Sequence, residues 1–140
     1  MSTRILVIED NQTNLELMQY LLGAFGYNAL CALSGEQGIQ IATDQVPDLI
    51  LCDIQLPGMN GHEVLKHLKK DPCLQMIPVI AVTAYAMVGD RDVLLESGFT
   101  GYLSKPINPE TFIRDVEAFL SPEKRSHRTP HEEGSTVRKW

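Results

Sequence analysis

The chain has 140 residues, with 12 Lys+Arg against 18 Asp+Glu and a formal net charge of −6. This length suits one domain with a short extension, which can bury enough surface to fold without disulfides or a structural metal. The 3 cysteines form no CxxC pair and the apolar runs are too short to span a membrane, so disulfide scaffolds, zinc modules and membrane proteins are disfavoured. We expect a cytoplasmic protein with reduced thiols and no membrane contact.

Charge is divided unevenly along the chain. Residues 1–120 hold 7 Lys+Arg and 15 Asp+Glu, a net charge of −8, whereas residues 121–140 carry a net charge of +2. An acidic body is poorly suited to DNA, because affinity for DNA comes largely from neutralising phosphates, so we expect no direct DNA binding. We predict one domain over residues 1–120 and a polar, disordered tail or truncated linker over residues 121–140, where Val137 and Trp140 are too few to form a core.

The first half of the body alternates strand-like and helical patterns. The run from Ile5 to Ile8 is continuously apolar and rich in β-branched residues, which is typical of a strand buried on both faces. Apolar residues spaced three and four apart then indicate a helix, which follows Asn11 and ends at Gly26 as its C-cap. The elements predicted up to the middle of the chain are strands at 5–8, 28–32 and 49–52, the helix after Asn11, and a helix from Ser34 to about Asp44.

The second half continues the alternation. Asn60 and Glu63 have the spacing of a capping box, with Asn in place of Ser or Thr, and predict the start of a third helix. The fourth helix, over residues 86–97, contains Gly89 and few strong apolar positions, so we expect it to be the least stable helix. Asn108 is predicted to cap the last helix, with a proline at its first position. The remaining strands are predicted at 78–82 and 100–103.

Strands that alternate with helices predict an α/β fold with a doubly wound parallel sheet covered on both faces. In such sheets, ligands bind beyond the carboxyl ends of the strands. Those ends carry three carboxylates, two hydroxyls and one ammonium. The residues in question are Glu9 and Asp10 after the first strand, Asp53 after the third, Thr83 and Ala84 after the fourth, and Ser104, Lys105 and Pro106 after the fifth.

This combination predicts a cation site next to a phosphoryl group. Two carboxylates about 4 Å apart repel by roughly 4 kcal/mol at an effective dielectric constant near 20, so the cluster must protonate, separate or bind a cation. Oxygen ligands favour a hard cation such as Mg²⁺, which in turn attracts phosphoryl oxygens. Thr83 and Lys105 would supply a hydroxyl donor and a positive charge to the same group. A lone acidic residue after a strand is usually a helix cap or a solvated charge, whereas four complementary strand ends are harder to explain in that way.

Four segments carry a specific family pattern: ILVIEDN at 5–11, PDLILCDIQLPGMNG at 47–61, VTA at 82–84 and YLSKPI at 102–107. With them, residues 4–120 resemble the receiver domain of two-component response regulators. The segment from Thr83 to Met87 is most similar to DivK-type single-domain receivers and to receivers attached to hybrid sensor kinases. The resemblance implies a flavodoxin-like (βα)5 fold with the strand order 2-1-3-4-5.

The resemblance also implies a role for each site residue. Asp53 would be the phosphoacceptor, and Mg²⁺ would be held by Asp10, Asp53 and the backbone carbonyl of Gln55, with Glu9 acting through a metal-bound water. Thr83 and Lys105 would contact the phosphoryl oxygens, as phosphoryl transfer depends mainly on positioning and charge neutralisation.

Further roles concern the switch and its partners. Tyr102 would be an aromatic switch residue that turns inward when Thr83 moves, while Gln55 and Tyr85 would tune dephosphorylation. A histidine kinase or histidine phosphotransfer protein would donate the phosphoryl group. A downstream protein would bind the face formed by the fourth helix, fifth strand and fifth helix. Such a chain is a signalling switch in a phosphorelay that catalyses only its own aspartyl phosphorylation and dephosphorylation, not an enzyme acting on other substrates.

Three alternatives follow from the same residues. A Mg²⁺-dependent phosphatase or dehalogenase-like hydrolase would need a second carboxylate in a D-x-D pattern, but Gln55 cannot titrate. A flavodoxin-like flavin carrier would need a phosphate loop rich in Ser, Thr and Gly after the first strand, where Glu9 and Asp10 would repel phosphate. The chain could also be the receiver fragment of a hybrid sensor kinase or multi-domain regulator, which the residues leave open.

Overall fold

The structure, a computed structural model, describes residues 3–84 and 88–126, and for Val88 only the backbone. In the described part of the chain, no helix is long and apolar enough to cross a membrane. The elements in chain order are β1 Arg4–Ile8, α1 Gln12–Ala24, β2 Asn28–Ala32, α2 Gly35–Gln45, β3 Leu49–Asp53, α3 Gly61–Lys70, β4 Val79–Thr83, α4 Val88–Ser97, β5 Gly101–Ser104, α5 Phe112–Glu117 and a 3-10 helix at Pro122–Lys124.

The five strands form one parallel sheet with the order β2-β1-β3-β4-β5, which confirms the predicted fold class. The central strands β3 and β4 are buried along their whole length, as their continuous apolar runs predict. Two apolar layers cover the sheet. One joins it to α1 and α5, and the other joins it to α2, α3 and α4. This arrangement leaves the carboxyl edge of the sheet for polar side chains.

Polar side chains begin the first three helices as predicted. The Asn11 side chain accepts a hydrogen bond from Asn14 N, and Ser34 Oγ accepts one from Gln37 N. Asn60 forms the full capping box, because its side chain accepts from the backbone of the third helical residue, whose own side chain accepts from Asn60 N. Gly26 follows α1 with a φ of 89°, a left-handed conformation that glycine adopts without a steric penalty. These local interactions therefore determine where α1, α2 and α3 begin and where α1 ends.

The last helix begins later than predicted. It starts at Phe112 rather than after Asn108. The Asn108 side chain accepts a hydrogen bond from Glu110 N, and its carbonyl accepts from the backbone N–H groups of Thr111 and Phe112. These bonds close a tight turn that leaves only six residues for α5.

Several strand limits also differ from the prediction by one residue. β3 includes Asp53 and β4 includes Thr83, because both residues remain paired in the ladder. β4 begins at Val79 rather than at Pro78, and β5 covers residues 101–104 instead of 100–103. The start of the fourth helix predicted at residue 86, and Tyr85, lie outside the described residues. The observed helix begins at Val88.

Residues 121–126 pack on the body of the domain. Lys124 Nζ lies 2.8 Å from Asp48 Oδ1, and Ser126 N donates to the Tyr27 hydroxyl over 2.8 Å. That hydroxyl donates in turn to the Glu117 carboxylate, and burial together with this partner raises the pKa of Tyr27. The ordered contacts thus continue to Ser126, past the predicted boundary at residue 120. The predicted disorder of residues 127–140 concerns a part of the chain outside the described residues.

Candidate functional site

The carboxyl ends of four strands bring the predicted chemistry to one edge of the sheet. Glu9 directly follows β1, Asp53 and Thr83 are the last residues of β3 and β4, and Lys105 directly follows β5. Glu9, Asp53 and Thr83 are buried, whereas Asp10 is exposed. Since the strands are parallel, all of these groups meet at the same edge, as the sequence predicts.

Lys105 is the cation at the centre of this edge. Its Nζ lies 2.9 Å from Asp53 Oδ2 and 3.1 Å from Glu9 Oε1. Burial disfavours the charged ammonium, but hydrogen bonds and charge attraction from Asp53 and Glu9 outweigh burial and raise the pKa of Lys105. The ammonium therefore stays protonated through neutral pH and holds the two carboxylates together.

Glu9 is a carboxylate with an incomplete set of partners. Its side chain is only 1% exposed, and its Oε2 accepts a hydrogen bond from Asn11 N over 3.2 Å. Its Oε1 is buried and accepts no hydrogen bond from any described residue, although the Lys105 ammonium lies close enough for an ion pair. Burial is the main cause that raises the pKa of Glu9, and the negative charge of Asp53 raises it further. An oxygen in this state can ligate a cation.

Asp53 is fixed by partners on both of its oxygens. Oδ1 accepts a hydrogen bond from Gln55 N over 3.0 Å, and Oδ2 accepts one from Lys105 Nζ. The backbone that follows is tied down as well, because Ile54 N donates to Val82 O and Gly61 N donates to Ile54 O. The carboxylate is thus held in one orientation at the start of the β3–α3 loop.

Gly61 allows this loop to close against Asp53. A Cβ atom at Gly61 would lie 2.6 Å from Asp53 O and 2.8 Å from Ile54 Cα. Both are backbone atoms and cannot rotate away. We therefore expect Gly61→Ala to lower the free energy of unfolding by about 1–3 kcal/mol, which is the usual cost of overpacking. Urea unfolding followed by circular dichroism measures the loss.

Gly23→Ala is the matched control for that substitution. Gly23 lies in α1, and an added Cβ there would have nothing within 4 Å. Alanine is favoured over glycine by up to about 1 kcal/mol inside a helix, so this variant should be as stable as the parent or more stable. Equal stability of the Gly61→Ala and Gly23→Ala variants would show that the close backbone approach is unimportant.

The acidic cluster fits a magnesium ion. Glu9, Asp10 and Asp53 each offer one carboxylate oxygen, and these oxygens lie within 4.8 Å of one another. Lys105 offsets one of their three negative charges, and Glu9 Oε1 still lacks a hydrogen bond from the described part of the chain. A set of oxygen donors with excess negative charge matches the preference of Mg²⁺. The backbone carbonyl of Gln55 stays a predicted ligand.

Thr83 connects the site to a small cavity. Its carbonyl accepts a hydrogen bond from Lys105 N over 2.8 Å, which ties the end of β4 to the residue after β5. Beside it is a cavity of about 160 Å³ between the sheet edge, α3 and α4. The cavity is lined by Ile54, Gln55, His62, Thr83, Asp90, Val93 and Leu94. Thr83 therefore lies at the sheet edge that carries the acidic cluster and also lines the cavity next to α4.

Tyr102 lies outside the cluster, on β5. It is half-buried, and the guanidinium carbon of Arg91 in α4 lies 5.2 Å from the centre of its ring. Both residues line a groove of about 660 Å³ between α4, β5 and α5. Sequence analysis did not single out Arg91, Gly61 or the Asn11 backbone N–H that holds Glu9. Of these, only Gly61 carried a local signal, since it begins the capped helix α3.

Comparisons with known proteins agree with this geometry. The family model for the response regulator receiver domain matches residues 5–117. The polar-differentiation response regulator DivK of Brucella ovis is 43% identical over 120 residues, which is 86% of this chain and 98% of that protein.

Solved structures show the same fold. The receiver domain of the sensor histidine kinase PA1611 from Pseudomonas aeruginosa, described with a magnesium ion coordinated in its active-site cleft, is 30% identical with a TM-score of 0.77. The match covers 85% of this chain and 98% of that one. The chemotaxis response regulator CheY4 of Vibrio cholerae shares the fold with a TM-score of 0.82 at 24% identity, covering 86% of this chain and 100% of the other. This chain belongs to the receiver domains of two-component response regulators.

Proposed function

We propose that the chain accepts a phosphoryl group on Asp53 from a phosphohistidine of a histidine kinase or histidine phosphotransfer protein. The observation that carries this proposal is the buried, doubly held Asp53 carboxylate beside Lys105, with a cation-binding cluster completed by Glu9 and Asp10. The DivK relatives, which are named as response regulators, support this proposal. The chain is a switch rather than an enzyme that turns over other substrates.

In the transfer step, an Asp53 oxygen forms a bond to phosphorus while the phosphorus–nitrogen bond of the donor breaks, and the electron pair of that bond leaves with the imidazole. Lys105, already beside Asp53, would neutralise charge on the phosphoryl oxygens, and the Thr83 hydroxyl would donate a hydrogen bond to them. Mg²⁺, when bound by the acidic cluster, would supply further positive charge to the same oxygens. Hydrolysis of the acyl phosphate by water returns the carboxylate.

Phosphorylation would change the face formed by α4, β5 and α5. The added group carries about −1.5 to −2 charges at neutral pH and sits next to Thr83 at the end of β4. Movement of Thr83 would alter the cavity that it shares with Val93 and Leu94 of α4, and Tyr102 on β5 would turn inward. A downstream protein would then bind this face. Direct binding to DNA is not part of the proposal, and a cytoplasmic location stays a prediction.

The test is incubation with Mg²⁺ and acetyl phosphate, followed by intact-mass measurement. We expect the parent protein to gain one phosphoryl group and an Asp53→Asn variant to gain none, because the amide is not a nucleophile at phosphorus. A gain in both proteins would move the acceptor elsewhere. If neither gains mass, a phosphohistidine donor tests the proposal again, and failure with that donor would reject it.

A second candidate is the receiver module of a hybrid sensor kinase, performing the same chemistry within a larger protein. The PA1611 receiver domain, which comes from a sensor histidine kinase, favours it. The DivK relatives, 98% of whose length aligns with this chain, are named as response regulators and favour the first candidate. Both candidates predict the same result for Asp53.

A further inference from the structure

The guanidinium of Arg91 lies over one face of the Tyr102 ring. The guanidinium carbon lies 5.2 Å from the centre of the ring, inside the range of about 6 Å in which a cation is attracted to an aromatic face. Arg91 belongs to α4 and Tyr102 to β5. The contact therefore joins two elements of the face that the proposed function assigns to a partner.

In this position Tyr102 is half-buried: it packs at the edge of the apolar layer beneath α4 and also lines the outer groove. Arg91 and Tyr102 both line the cavity of about 660 Å³ between α4, β5 and α5. Leu103, Phe112 and Phe119 give that groove an apolar lining. A change in the direction of the Tyr102 ring would thus change the wall of the groove and release the Arg91 side chain at the same time.

The inward position that the proposed function gives the ring lies toward Thr83. Tyr102 is paired with Ala81, and Thr83 is paired with Ser104. Alternate residues of a strand share one face of the sheet, so Tyr102 and Thr83 lie on the same face of neighbouring strands. Ala81, between them on β4, is small. Beside Thr83 lies the cavity of about 160 Å³, whose wall includes Val93 and Leu94 of α4.

We infer that Arg91 is a positioning residue that holds Tyr102 outward in the unphosphorylated protein. This inference deepens the proposed function and rests on it. The equilibrium between the outward and inward ring is set by the contact with Arg91 on one side and by the state of Thr83 on the other. A cation–aromatic contact at an exposed site corresponds to roughly a two- to five-fold change in such an equilibrium. Loss of the guanidinium should therefore raise the ratio of inward to outward ring by about that factor before any phosphorylation.

The test observes Tyr102 directly by ¹⁹F NMR of protein labelled with fluorotyrosine, with a Tyr102→Phe variant to assign its resonance. We compare the parent, Arg91→Met and Arg91→Lys proteins, each before and after acetyl phosphate and Mg²⁺. Arg91→Met should move the unphosphorylated resonance toward its phosphorylated position, and the remaining change on phosphorylation should shrink. Arg91→Lys, which keeps a cation, should recover most of the parent behaviour.

Arg114→Met is the control for loss of an exposed arginine. Arg114 lies on the neighbouring helix α5 and pairs with Asp115 over 3.6 Å, and its removal should leave the Tyr102 resonance and its response unchanged. If Arg91→Met displaces both states equally, the effect is a local charge effect and the inference is overturned. It is also overturned if neither state moves. Intact mass, taken on the same samples, reports phosphorylation of Asp53 separately, so a failure of the proposed function is distinguishable from a failure of Arg91 to hold the ring.

Discussion

Lys105→Met should destabilise the Mg²⁺-free protein by about 3–5 kcal/mol, which is the usual cost of removing one partner from a buried ion pair. Lys105 Nζ contacts both Glu9 and Asp53, whose side chains are 1% and 4% exposed. Without the ammonium, two carboxylates remain close together and away from water. Urea unfolding at neutral pH in the presence of EDTA measures the loss.

The same substitution should slow phosphorylation of Asp53 by acetyl phosphate. A preorganised charge that stabilises a transition state contributes about 10²- to 10³-fold to a rate, and Lys105 is already 2.9 Å from the proposed nucleophile. The rate of mass gain at saturating Mg²⁺ provides the measurement. Saturating Mg²⁺ also restores part of the lost stability, so that the rate is measured on folded protein.

Lys124→Met is the matched control for both effects. Lys124 also makes a close ion pair, with Asp48 at 2.8 Å, but its side chain is 46% exposed. Exposed pairs contribute about 1 kcal/mol or less. Asp48 directly precedes β3 and Asp53 is its last residue, so this pair lies at the opposite end of the strand from the site. Glu9→Gln added to Lys105→Met should recover stability, since it removes one unpaired charge. If Lys105→Met were no less stable than Lys124→Met, the buried charge cluster would not have the energetic role assigned to it.

The site could be predicted from the sequence because the carboxyl ends of parallel strands all lie at the same edge of the sheet. Once continuous apolar runs identify strands, the residues after them must meet, and Glu9, Asp53, Thr83 and Lys105 do meet. The helix caps at Asn11 and Asn60 were predictable for a similar reason, because capping is a local interaction within three residues.

Two kinds of feature were not predictable in this way: the choice between two local structures, and contacts between distant segments. The α5 start was wrong because Asn108 closes a turn with its own backbone neighbours instead of capping a helix, and both options use the same local residues. The packing of Lys124 on Asp48, and of the Arg91 guanidinium on Tyr102, joins segments far apart in sequence. The spacing of residues along the sequence does not predict such pairs, so they are seen only in the folded structure.

Mg²⁺ should stabilise the protein, and the gain should increase with pH. A ligand that binds only the folded state at about 100 times its Kd adds about 2.7 kcal/mol. Glu9, Asp10 and Asp53 offer the oxygens, and among residues 3–84 and 88–126 no group donates a hydrogen bond to Glu9 Oε1. The measurement is the urea midpoint with MgCl₂ and with EDTA, at matched ionic strength, across the pH range.

The sign of the pH dependence follows from Glu9. Burial, with the charge of Asp53, raises its pKa above the ordinary value of 4.5. In the Mg²⁺-free protein, the stability contributed by protonated Glu9 is therefore complete below that value and is lost as the pH rises through the folded-state pKa. Mg²⁺ binds the deprotonated carboxylate, so its stabilising effect should grow over the same interval and be larger at about pH 8 than at about pH 5.

Asp10→Asn separates a specific site from general screening by salt. Asp10 is exposed and belongs to the acidic cluster, so its loss should weaken Mg²⁺ binding. In EDTA the variant should be at least as stable as the parent, because removal of one of three neighbouring carboxylates relieves charge repulsion. Asp10 is exposed whereas Glu9 is buried, so we expect the Asp10 substitution to change mainly the affinity for Mg²⁺, and the titration of Glu9 to set the pH dependence of binding. A gain that is equal in the parent and in Asp10→Asn, or constant with pH, would contradict binding at this cluster.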